Sequence, residues 1–118
     1  MGEAGYKKLI VWQKADELAY QIYLTTKTFP KEEIYGITSQ LRKAALSVPT
    51  NIVEGYGKQS KNELRQFLNT ALGSLAEVEY LLSFSFFKVK ISHSRAVWRT
   101  SNLTPRSGKF IMEVLQKY

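Results

Sequence analysis

YGITSQLRKAALSVPTNIVEGYGKQSKNELRQFLNTALGSLAEVEYLL, residues Tyr35 to Leu82, decides the fold of this chain. Its first half carries an apolar stripe at Ile37, Leu41, Ala44, Ala45, Val48 and Ile52. Spacings of three and four residues place these side chains on one face of a helix starting near Ile37 or Thr38 and reaching Glu54. Pro49 lies inside the stripe. Its ring removes one backbone donor and crowds the preceding turn, which predicts a kink. The stripe resumes in phase at Ile52, so the helix continues beyond the proline. Gly55 and Gly57 are expected to end it. The second half opens on Ser60-Lys61-Asn62-Glu63, a capping box in which the serine hydroxyl accepts from the amide of the third helical residue. Leu64, Phe67, Leu68, Ala71, Leu72, Leu75, Val78 and Leu82 then form a continuous apolar face. Ala71, Gly73, Ser74 and Ala76 are small enough for a neighbouring helix to approach closely.

Working outward, Val11, Ala15, Leu18, Ala19, Ile22 and Tyr23 predict an earlier helix from Leu9 or Ile10 to Thr28, stopped by Pro30. Residues 29–33 read as a linker, with room for a short helical turn before Gly36. Beyond Leu82 the pattern weakens. Phe84, Phe86 and Phe87 are too apolar for a free surface, and Val89 and Ile91 alternate with Lys88 and Lys90 as in a strand. Residues 92–108 have no helical period. Thr104-Pro105 fits a helix start, and Phe110, Ile111, Val114, Leu115 and Tyr118 then describe a short amphipathic fourth helix. The expectation is an all-α single domain spanning residues 1–118, an antiparallel up-down-up-down four-helix bundle whose fourth helix is short or irregular. The short fourth helix leaves part of the third helix's apolar face without intrachain cover, which favours oligomerisation.

Composition narrows the function. The chain has 118 residues and no cysteine, which excludes disulfides, thiolate metal sites and a cysteine nucleophile. The N-terminus is not expected to be a signal peptide, because Lys14, Asp16 and Glu17 interrupt any apolar core. Tyr6 breaks the myristoylation pattern after Gly2. With no run long enough to span a bilayer, a cytoplasmic protein without a membrane partner is expected. The formal net charge is +7, and it is concentrated in the C-terminal third. There Lys88, Lys90, Arg95, Arg99, Arg106, Lys109 and Lys117 face Glu113 alone. Such a block either attracts polyanions through counterion release or forms a solvated basic face.

Catalytic constellations are missing. His93 is the single histidine and has no Asp following nearby, so a Ser/His/Asp arrangement has little support. Glu54, Glu77 and Glu79 lack the Glu-x-x-His pairs of carboxylate metal bundles. Glu54 is better paired with Arg42, with Arg65 or with a helix N-terminus. Glu54-Gly55-Tyr56-Gly57-Lys58 follows a helix rather than a strand, so it is not a phosphate cradle. No cofactor is expected. Lys58, Lys61 and Arg65 flank the start of the third helix, with Arg42 and Lys43 on the second. Beside Tyr56, these residues are the candidate nucleic-acid site: cations to track phosphates and a ring to stack a base. Their plain alternative is a solvated surface. Trp12 is a core residue by default and an interface anchor in the alternative.

Several motifs occur together in fixed order: Val11-Trp12-Gln13-Lys14-Ala15, Phe29-Pro30-Lys31-Glu32-Glu33, Tyr35 to Ala45, Val48 to Gly57, and Ala71-Leu72-Gly73-Ser74-Leu75-Ala76-Glu77. Over residues 6 to 86 the chain resembles the bacterial four-helix bundle proteins named after the intervening sequences of 23S ribosomal RNA. It is similar as well to the accessory variability determinant of diversity-generating retroelements. The resemblance implies a homopentamer around a central pore, no catalysis and no cofactor. In the retroelement branch it implies binding of a reverse transcriptase and of RNA or DNA through basic surface. The C-terminal third departs from the family pattern, which usually continues as an acidic helical segment from near Ser92. Divergence and a local reading-frame change over residues 87 to 107 are the two accounts of that departure.

Overall fold

A computed structural model describes residues 5–89 and 91; every regular element among them is helical, with no strand. Helix α1 spans Ile10–Thr26, α2 Ile37–Tyr56 and α3 Lys61–Ser83. Short 3₁₀ turns at Gly5–Lys8 and Lys31–Glu33 precede α1 and α2. The fourth helix expected near the C-terminus falls outside the described residues.

Helix α2 is the centre of the structure. It packs against α1 on one side and, more extensively, against α3 on the other. The four residues between α2 and α3 are too few for anything but an antiparallel return. Ala15, Leu18 and Ile22 from α1, Leu41, Ala45, Val48 and Ile52 from α2, and Leu68, Ala71, Leu75 and Val78 from α3 form one buried core. These are the stripes read from the sequence.

The ends of the helices depart from expectation by a few residues. Helix α1 stops at Thr26 rather than Thr28. Thr28 and Phe29 donate backbone bonds three residues back, to Thr25 and Thr26, so the chain tightens before Pro30. Within α2, Pro49 is buried and the helix continues unbroken past it. Of the two glycines, Gly57 ends the helix as foreseen and Gly55 does not. Gly55 is a buried residue inside α2, and Gly57 caps the helix in ordinary right-handed geometry with φ −76°. Gly55 is small for a packing reason, because a Cβ there would lie 3.1 Å from both Leu64 Cδ1 and Phe67 Cβ of α3. The close approach of α2 and α3 is thus made by α2's glycine. Gly73 and Ala76 of α3, read as contact residues, face solvent, and nothing lies within 4 Å of a Cβ built on Gly73.

Ser60 caps α3 as its sequence foretold, its Oγ accepting from the Glu63 amide at 3.4 Å. At the far end, the strand-like alternation does not produce a strand. Residues Phe84–Lys88 wind into a π-helical turn that continues α3, and the Val89 amide donates to the Phe84 carbonyl at 3.1 Å. The buried Ser85 hydroxyl donates to the Leu81 carbonyl, and the Ile91 amide donates to that of Ser85. Phe86 turns inward to meet Phe29 edge to face, with centroids 6.3 Å apart. This anchors the end of α3 to the linker after α1.

Candidate nucleic-acid interface

The turn between α2 and α3 gathers four of the six candidate residues. Tyr56 ends α2, Lys58 sits in the turn, Lys61 is the first residue of α3, and Arg65 follows one helical turn later. Lys61 and Arg65, four apart, share a helix face. Lys58, Lys61 and Arg65 are all exposed. The Lys58 ammonium lies 5.4 Å from the centroid of Phe67, a cation–π distance that holds it against α3. Tyr56 is 50 % exposed, and its hydroxyl end sits where a side chain at Gly5 would collide with it. An exposed ring and three exposed cations are thus borne on two helix ends and the short turn between them.

Arg42 and Lys43 are not part of this group. They lie on the opposite half of α2, so that Arg42 is about 21 Å from Tyr56 along the helix axis. Lys43 is exposed. Arg42 is half-buried and engaged: its Nε donates to Thr26 Oγ1 at 2.8 Å, and its guanidinium lies 4.8 Å over the Tyr23 ring. Thr26 Oγ1 in turn donates to the Ile22 carbonyl at 2.7 Å. Arg42 therefore ties α2 to the last turn of α1 and does not reach Glu54, twelve residues along the same helix. Spacing along the sequence groups Arg42 with the other cations but does not show that the last turn of α1 faces it.

Trp12 is half-buried against the core and meets Tyr6 edge to face at 5.0 Å. Among the described residues, no group of three or more His, Cys, Asp or Glu is placed to hold a metal, and no helix is long and apolar enough to cross a membrane.

One set of surface residues escaped the sequence reading. Tyr80, Phe84 and Phe87 stand exposed at the end of α3 and its π-turn, at 64 %, 38 % and 76 %. The expectation that this phenylalanine cluster would be covered holds for Phe86 alone. Only the winding of the turn separates the inward ring from the outward ones.

No curated protein matches the chain at a significant level. The family described as 23S rRNA-intervening sequence protein matches residues 7–104. That match runs through α1, α2 and α3, and it continues into the basic stretch beyond residue 87. It covers more than four-fifths of the sequence, so this chain belongs to the 23S rRNA-intervening sequence protein family.

Proposed function

We propose that this protein is a non-enzymatic, oligomeric accessory protein that binds RNA or DNA through basic surface and serves a reverse transcriptase of a diversity-generating retroelement. The observation that carries this reading is the α2–α3 turn, which bears the exposed cations Lys58, Lys61 and Arg65 and the half-exposed Tyr56 within ten residues of chain. Exposed cations on one turn together with an accessible ring suit a nucleic-acid backbone with little sequence preference. The net charge of +7 adds attraction at longer range. The resemblance supplies the rest: a four-helix bundle completed by the C-terminal segment, assembly as a homopentamer and a reverse-transcriptase partner; the absence of cysteine and of a membrane-spanning run fits a cytoplasmic setting. In a ring, a weak patch is repeated around the axis and its contacts act together.

A second reading is a protein-interaction scaffold of the ribosomal intervening-sequence branch with no nucleic-acid role. Tyr35, 96 % exposed beside the exposed Ile34, favours it, because such a pair suits a protein contact.

Titrating RNA and DNA over a range of salt concentrations separates the two. Phosphate binding gives an affinity that falls steeply with salt, and replacing Lys58, Lys61 and Arg65 by Ala lowers the log–log slope by about one per lost contact. Neutralising Arg95, Arg99 and Arg106 tests the C-terminal charges separately. If only that second set abolishes binding, the α2–α3 site is wrong. If no binding is measurable at low salt, the scaffold reading replaces this one. Co-purification with a reverse transcriptase encoded beside the gene tests the partner.

A further inference from the structure

We propose that the 3₁₀ turn Gly5–Lys8 forms a second edge of the nucleic-acid site at the α2–α3 turn, with Lys7 and Lys8 as phosphate contacts. This inference rests on the nucleic-acid reading above and extends its site to a distant part of the sequence. Gly5 brings the turn against the end of α2: a Cβ there would lie 2.5 Å from the Tyr56 hydroxyl oxygen and 3.2 Å from Cζ. The N-terminal turn and the α2–α3 turn therefore meet at one ring, which stays 50 % exposed. The N-terminal turn is anchored. The Leu9 amide donates to the Tyr6 carbonyl at 3.0 Å, and Gln13 of α1 donates Nε2 to the Lys7 carbonyl at 2.8 Å. Tyr6 meets Trp12 edge to face with centroids 5.0 Å apart, and Trp12 packs on the core. Lys7 and Lys8 are thus exposed on backbone already fixed, and only their side chains need ordering on binding.

Charge selects the occupant. Lys7 and Lys8 on the N-terminal turn and Lys58 and Lys61 at the α2–α3 turn are all exposed. The carboxylates on these segments are Glu54 and Glu63, so the cations exceed them. The first carboxylate of α1, Asp16, lies about 9 Å along the helix from Ile10. Positive charge gathered from two segments repels itself in the free protein. A polyanion relieves that repulsion and releases its condensed counterions in exchange. The exposed Tyr56 ring at the junction adds a surface on which a base stacks. An acidic protein has no flat bases for this ring and no condensed counterion layer to release. A nucleic-acid strand lying across Tyr56 meets lysines from both segments, which widens the footprint from one turn to two.

The test replaces Lys7 and Lys8 together by Ala in the full chain, beside a control in which Lys27 and Lys31 become Ala. The control removes the same charge from exposed positions at the other end of α1 and in the linker after it. Circular dichroism and a melting curve establish that both variants are folded. Single-stranded RNA, single-stranded DNA and a DNA duplex are then titrated over a range of salt concentrations. The expected result is a log–log salt slope lowered by about two for the Lys7 and Lys8 variant and unchanged for the control. Acetylation of wild type, read by mass spectrometry, should show Lys7 and Lys8 protected by bound oligonucleotide and Lys27 and Lys31 unprotected. That footprint needs no substitution, so it decides the matter even where a variant fails to fold. An unchanged slope, equal losses in both double variants, or unprotected Lys7 and Lys8 overturns the proposal. If replacing Lys58, Lys61 and Arg65 still lowers the slope in that case, the broader reading stands without this second edge. Wild type that binds no nucleic acid at low salt overturns both.

Discussion

Ser74 of α3 donates its hydroxyl to that of Ser47 of α2 at 2.8 Å, across the most extensively packed pair of helices among the described residues. Asn51, one turn along α2, donates Nδ2 to the same Ser47 hydroxyl at 2.9 Å and to the Ser47 carbonyl at 2.7 Å. This polar link flanks Pro49, where the helix lacks a backbone donor, and it fixes the register of α3 against α2. Apolar stripes alone specify register weakly, whereas a hydroxyl left without its partner in a half-buried seam has a definite cost.

Ser47 is the hub, so its loss should exceed that of Ser74. Ser74→Ala leaves the Asn51 bonds in place and is expected to cost about 1 kcal/mol. Ser47→Ala removes the acceptor of two donors and is expected to cost about 2 kcal/mol. Urea unfolding of the two variants and of the double variant measures the difference; equal small effects would show that the link does not hold the helices.

Gly55 and Gly73 should respond to alanine with opposite signs. Gly73→Ala adds a methyl in open space on α3 and should stabilise by about 0.5–1 kcal/mol through helix propensity. Gly55→Ala places that methyl against Phe67 Cβ, an atom fixed to the α3 backbone, so the helices must separate. A net loss of about 1–3 kcal/mol is expected. A raised melting temperature for Gly55→Ala would contradict the close approach.

Among the described residues, the buried hydroxyls of Thr25 and Thr38 have no hydrogen-bond partner. Replacing either by Val removes an unpaired polar group at similar volume and should stabilise by about 1 kcal/mol. Thr26→Val serves as the contrast, since its hydroxyl bonds both the Ile22 carbonyl and Arg42. It should destabilise by about 1–2 kcal/mol. Thermal unfolding of the three variants reads the sign directly.

Arg42→Lys keeps the charge but gives up the Nε bond to Thr26 and the planar contact with Tyr23. Stability should fall by about 1 kcal/mol, while the salt slope of nucleic-acid binding stays unchanged. A change in slope with unchanged stability would return Arg42 to the binding surface.

Ile10, Tyr20, Leu46 and Tyr35 are large apolar or aromatic residues left exposed in the single chain. Together with the resemblance, they lead to the expectation of a stable homo-oligomer, a pentamer. Light scattering at micromolar concentration checks it, and a monomeric mass would refute it.

The three long helices were legible in the sequence because each buries one stripe at helical spacing, and that periodicity is a local property of the chain. Ser60 was legible for the same reason, since a cap satisfies amides three residues away. Pro49 could be kept inside α2 because Ile52 continued the phase. What sequence spacing could not supply was which residues from distant segments meet. Gly55 looked like a stop signal until Leu64 and Phe67 were found against it. Arg42 looked like a free cation until Thr26 and Tyr23, sixteen and nineteen residues earlier, were found to hold it. Residues 88–91 alternated like a strand, yet Lys88 belongs to the π-turn Phe84–Lys88, whose winding brings Phe86 onto Phe29 and leaves Phe84 and Phe87 outside. Periodicity determined the helices by itself because burying an apolar face depends on neighbours three and four residues away. The helix contacts, and with them the surface open to a partner, were decided only by tertiary packing, because they depend on side chains far apart in the chain.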